Sequence, residues 1–190
     1  MKRYIPNALT VLRIILAPIF IYIILSDIKF SYFIGLVVFI IASITDALDG
    51  RLARKYQAES KFGLFMDPFA DKVLVLGAFI TFLFIPILSN VVYPWMVALI
   101  FLRDIMVTLL RLFMKKRNLL MVTSKVAKLK TTFQLISIIL FLSLLSIDSK
   151  NYINQFNEYL FVFMISVTLF TVYTGIDYYY KNLRSISIEN

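Results

Sequence analysis

Six apolar stretches run through the chain: Ile14 to Leu25, Phe33 to Thr45, Val73 to Leu88, Val91 to Phe113, Thr132 to Leu145 and Tyr159 to Tyr178. Together they leave few ways to fold. With 61% hydrophobic residues in 190, a soluble domain of this size has no interior large enough to hide the apolar surface. A bilayer does. Lipid-exposed backbone must satisfy its own hydrogen bonds, so each stretch is expected to be a helix. Several fall short of the ~20 residues that a span requires, but each extends into mixed sequence that completes it. The expected fold is an all-α integral membrane protein of six transmembrane helices. The segment around Asn7 and Thr10, with Pro6 near its start, is expected to form a short interfacial helix before the first span. No repeat, linker or low-complexity tract divides residues 1–190, so one membrane domain is expected. The first apolar stretch is too long for a signal-peptide core and has no small-residue cleavage site.

Lysine and arginine orient the helices. Lys2, Arg3 and Arg13 precede the first span. Arg51, Arg54, Lys55, Lys61 and Lys72 lie between the second and third, and Lys115, Lys116, Arg117, Lys125, Lys128 and Lys130 between the fourth and fifth. Lys181 and Arg184 follow the sixth. The opposite loops hold Lys29 and Lys150. The positive-inside rule then puts both termini in the cytosol.

Four acids stand out against this background. Asp46 and Asp49 are three residues apart at the end of the second apolar stretch; Asp67 and Asp71 are four apart at the start of the third. On helices each pair shares a face. An ionised Asp at the centre of a membrane helix costs about 2.5–3.5 kcal/mol on insertion scales, so intramembrane acids mark functional sites. Four carboxylates converging on one volume raise each other's pKa unless a cation offsets them. Two divalent cations do so and create a site for in-line phosphoryl displacement. The chain has no His and no Cys, so any metal must be hard and oxygen-bound: Mg²⁺, Mn²⁺ or Ca²⁺. A Ser/His hydrolase is excluded on the same ground.

Neighbouring residues shape the site further. Gly50 and Gly63 remove a side chain from each facing helix, which admits either a ligand or a neighbouring backbone. Ala53 continues the small surface one turn beyond Gly50. Arg54 lies two turns from Asp46 on roughly the same face, within reach of a metal-bound phosphate.

The pattern D-x-x-D-G-x-x-A-R, eight residues, G-x-x-x-D-x-x-x-D, spanning Asp46 to Asp71 with every fixed position present, resembles the signature of the CDP-alcohol phosphatidyltransferases. Chain length and helix number resemble the family too. The resemblance implies transfer of a phosphatidyl group from CDP-diacylglycerol to an alcohol, with release of CMP, at a multi-pass membrane site facing the cytosol. It implies Asp46, Asp49, Asp67 and Asp71 as ligands of two divalent cations and Asp71 as base. It further implies that Gly50, Ala53 and Gly63 make room for cytidine and that Arg54 contacts phosphate. A homodimer is implied by the resemblance alone, and nucleic acid is not an expected partner.

The acceptor rests on other residues. Arg103 and Asp104 lie inside the fourth stretch, with Arg111 seven residues on and on the face of Asp104. They form either a local ion pair or, through Arg111, an anion site. Lys125 and Lys128 share a face; Lys128 and Lys130 do not, and the three are either a surface charge run or phosphate ligands. Several cations suit an acceptor that carries its own phosphate. The segments Arg103-Asp104…Arg111, Lys128 to Gln134 and Asn7 to Arg13 resemble the family branch that uses sn-glycerol 3-phosphate. On that resemblance Arg111, Lys125, Lys128 and Lys130 hold the acceptor phosphate. Asn7 and Thr10 serve the lipid-linked phosphate, although helix capping explains them nearly as well. A sister enzyme using inositol phosphate, serine or phosphatidylglycerol is the nearest alternative. A divalent-cation transporter is a remote one, since it leaves Gly50 and Arg54 idle. Asp177 is expected to pair with Lys181.

Overall fold

A computed structural model describes residues 5–26, 28–56, 61–117 and 125–187, and side chains within them except at 5–10, 46–56, 61–71, 115, 125–128, 148–152 and 183–187. The described residues form six α-helices and no strand: α1 (Ile5–Leu25), α2 (Ser31–Tyr56), α3 (Lys61–Phe82), α4 (Pro94–Lys116), α5 (Lys125–Gln155) and α6 (Asn157–Ser187). Each expected stretch has its helix. Two segments, Leu129–Ile147 and Asn157–Asn182, are long and apolar enough to cross a membrane; Val11–Leu25, Ser31–Thr45 and Lys72–Phe82 are shorter apolar helices. At 1.5 Å per residue the 31-residue α5 and α6 are each about 46 Å long, beyond the ~30 Å hydrocarbon core. Large apolar side chains such as Tyr22, Phe84, Leu102 and Leu169 stand exposed, the surface expected of a protein solvated by lipid.

Two departures of the helix boundaries from the expected elements have a direct physical reason. The residues expected to form a separate interfacial helix are the first turns of α1, which runs unbroken from Ile5. Pro6 is tolerated there because first-turn N–H groups have no intrahelical partner. The third stretch does not run helically to Leu88. It stops at Phe82, and after a turn a short 3₁₀ helix spans Pro86–Leu88. Pro86 causes the break by driving the preceding residue out of the helical region: Ile85 has φ −92° and ψ 109°.

The chain divides into two compact units. The first comprises residues 1–89 and 138–155, the second residues 90–137 and 156–190. In the first, α1 packs along both α2 and α3. Phe20 meets Phe39 at 5.7 Å, and Phe82 meets Phe79 at 6.3 Å and Phe141 at 5.7 Å, the last two edge to face. In lipid such contacts hold helices by dispersion and fit, because the apolar side chains would be equally well solvated apart. Close approach therefore matters. Gly35 of α2 faces Ile24 and Phe20 of α1, and a Cβ built there would collide with Ile24. Gly35→Val is expected to separate α1 from α2 and lower the thermal midpoint in detergent, by roughly 1–3 kcal/mol of overpacking strain. An unchanged midpoint would show that the contact gives way freely.

In the second unit α4 packs against α6. Tyr93 meets Phe161 at 5.6 Å and Phe133 meets Phe170 at 5.2 Å. Its interior is unusually polar: Asp104, Lys130, Gln134, Ser137, Thr168, Thr171, Thr174 and Asn182 are all buried. Most of the hydroxyls return to their own helix, as Thr168 and Thr171 do by donating to the carbonyls of Met164 and Val167.

Candidate active site

The signature is helical on both sides of its spacer. Asp46, Asp49, Gly50, Ala53 and Arg54 lie in α2, and Gly63, Asp67 and Asp71 in α3. The i, i+3 and i, i+4 relations inferred from spacing are thus helical ones, and each pair takes one face of its own helix. The side chains of these eight residues, and of Asn7 and Thr10 on α1, lie outside the described set. Among the described residues no three His, Cys, Asp or Glu gather as a metal site. The donor chemistry still fits a hard cation, since the signature offers carboxylate oxygens only.

One cation of the first unit was underweighted by sequence reasoning. Arg13, counted among the residues that flank the first span, is 1% exposed and the largest fully buried side chain of the described set. Its helix α1 packs along both helices that carry the acids. The available signal was spacing: Asn7, Thr10 and Arg13 recur every three residues.

The second unit holds a buried ionic cluster. Lys130 Nζ donates to both oxygens of Asp104, at 2.6 Å to Oδ1 and 2.9 Å to Oδ2. Arg103 Nη1 donates to Asp104 Oδ1 at 3.0 Å, and its Nη2 donates to Thr174 Oγ1 at 3.2 Å. Beside them Gln134 Nε2 donates to Thr171 Oγ1 at 3.3 Å. The Asp104, Lys130 and Arg103 side chains retain 4%, 7% and 9% of their exposure. The cluster ties α4 to α5 and α6 in surroundings where each charge needs its partner.

This arrangement realises the local ion pair expected at Arg103 and Asp104 and adds Lys130 to it. Lys130, expected at the acceptor phosphate, is buried against a carboxylate. Arg111 is exposed, although its helical phase is that of Asp104. Lys125 and Lys128 fall in the first turn of α5, with side chains outside the described set. Thr174 and Gly175 were not singled out from sequence. Their trace was a Thr171-x-x-Thr174-Gly175 break in the apolar run of α6. Asp177 pairs with Lys181 as expected, at 2.7 Å.

A family model described as CDP-alcohol phosphatidyltransferase matches residues 3–173. The chain belongs to the CDP-alcohol phosphatidyltransferase family. Among its relatives is a Bacillus subtilis protein named CDP-diacylglycerol–glycerol-3-phosphate 3-phosphatidyltransferase, 32% identical over 197 residues that cover 97% of this chain and 98% of the relative. Proteins of the same name from Cereibacter sphaeroides and Escherichia coli K12 are 39% and 34% identical. Those matches cover 75% and 73% of this chain, and 65% and 76% of the relatives.

Proposed function

We propose that this protein transfers the phosphatidyl group of CDP-diacylglycerol to sn-glycerol 3-phosphate, yielding phosphatidylglycerol phosphate and CMP. The observation that carries the reading is the complete acid and glycine signature on α2 and α3. The acceptor reading is supported by the names of the relatives. The family match spans residues of both units, which supports one domain over 1–190. The lysine and arginine pattern supports six spans, cytosolic termini and a site open to the cytosol. A homodimer accords with the family resemblance.

In this reading Asp46, Asp49, Asp67 and Asp71 hold two divalent cations, Mg²⁺ or Mn²⁺. When bound, these supply charge neutralisation for the pyrophosphate and its leaving group. Gly50, Ala53 and Gly63 leave room for the cytidine. Arg54, with Asn7 and Thr10, binds phosphate of the lipid-linked nucleotide. Asp71 takes the proton from the acceptor hydroxyl, whose oxygen attacks the lipid-bearing phosphorus as the bond to CMP breaks. The acyl chains stay in the bilayer. Arg111, Lys125 and Lys128 bind the phosphate of the acceptor.

The test supplies purified protein with CDP-diacylglycerol, Mg²⁺ or Mn²⁺ and labelled candidate alcohols, and follows CMP. Turnover with glycerol 3-phosphate supports the proposal; turnover only with inositol phosphate, serine or another alcohol refutes it. Metal flux in liposomes without CMP release would favour transport. Arg111→Ala is expected to raise KM for the acceptor about 10- to 100-fold with little change in kcat, the loss of one charge-assisted contact. An effect confined to the lipid substrate would remove Arg111 from the acceptor site.

A further inference from the structure

We propose that Asp104 is a positioning residue for the acceptor side of the reaction, and that Lys130 acts as its partner instead of binding the acceptor phosphate. The inference rests on the acceptor reading above. Lys130 has three ammonium hydrogens, and two bonds from Nζ reach the two oxygens of Asp104. Moving that ammonium to a phosphate would take from the buried carboxylate the cation that meets both of its oxygens. Breaking one side of a buried, bonded ion pair is far more unfavourable than never burying it.

Arg103 is fixed just as closely. Its guanidinium bridges Asp104 and Thr174, and its stem crosses Gly175. A Cβ built on Gly175 would lie 2.6 Å from Arg103 Cγ and 3.2 Å from Nε, so any side chain there must evict the arginine. One carboxylate therefore joins α4 to α5 directly and to α6 through Arg103. Lys130 is two residues from Lys128 and five from Lys125, so anchoring Lys130 sets the helical phase at which α5 carries both. On α4, Asp104 stands seven residues before Arg111. Asp104 thereby orients the segments that bear the acceptor-binding residues without touching the acceptor.

A double-mutant cycle on the full-length protein separates the two roles of Lys130. Asp104→Asn, Lys130→Met and the double variant are compared with the parent for KM of glycerol 3-phosphate, KM of CDP-diacylglycerol and thermal midpoint. If Lys130 positions, Lys130→Met raises acceptor KM in the parent but changes it less than about two-fold in the Asp104→Asn background, and the double variant melts above either single one. Equal, additive increases in acceptor KM in both backgrounds would overturn the proposal, because Lys130 would then be a phosphate ligand. Asp104→Glu, which keeps the charge, is expected to restore most of the acceptor KM lost in Asp104→Asn; failure to do so also counts against positioning. Gly175→Ala alters no charge, yet is expected to reproduce the acceptor defect of Asp104→Asn. Parent-like kinetics in Gly175→Ala would refute the placement of Arg103. If the parent turns over no glycerol 3-phosphate, the functional reading fails, whereas the melting cycle still reports whether Asp104 and Lys130 are coupled.

Discussion

Asp67→Asn, and separately Asp49→Asn, is expected to abolish CMP release while leaving the helical fold intact. Asparagine preserves shape and one carbonyl oxygen but removes the negative charge that a hard divalent cation selects. Catalytic groups that stabilise transition-state charge are individually worth about 10²–10³ in rate, and a lost metal ligand removes more than one such contribution, so a loss of at least about 10³-fold is expected. Both acids lie inside their helices, six or more residues from either end, so the backbone has no need of the charge. Circular dichroism of the purified variants should match the parent. Turnover within about ten-fold of the parent in either variant would remove the metal assignment, since a carboxylate that holds an essential metal cannot be lost with so small an effect.

Arg13→Met is expected to be the most destabilising single change in the first unit. Arginine is among the most expensive side chains to bury, and Arg13 is 1% exposed in a unit otherwise dominated by Phe, Ile, Leu and Ala. Such a charge persists in an apolar bundle only when bonded, so its removal leaves a buried group uncompensated, at about 3–5 kcal/mol. For a chain of this size that corresponds to a fall in melting temperature on the order of 10 °C. Arg13→Lys keeps the charge but loses the planar fork, and is expected to recover only part of it. Parallel thermal unfolding and CMP-release assays check both variants. A melting temperature equal to that of the parent would mean that the arginine is buried without electrostatic purpose.

The two sets of proposed site residues differed in how readily they could be read. The acids and glycines of α2 and α3 were legible because helical spacing is local: three or four residues along the chain is one turn in space, whatever the rest of the fold does. The hard metal proposed for them rests on the lack of His and Cys. The acceptor residues were harder. Lys130 is separated from Asp104 by 26 positions and Arg103 from Thr174 by 71. A count of nearby cations could not say which of them was already spoken for. Arg111 and Asp104 illustrate the limit from the other side, since equal helical phase did not bring equal burial.

Helix number and order and the family were determined by sequence alone, because they depend on composition, periodicity and short-range spacing. Only the tertiary structure decided that Arg13 is interior, that the third apolar stretch breaks before Pro86, and that Lys130 belongs to Asp104. Ion pairing in an apolar interior is a contest among all charges within a few ångströms, and that neighbourhood is assembled from helices far apart in the chain.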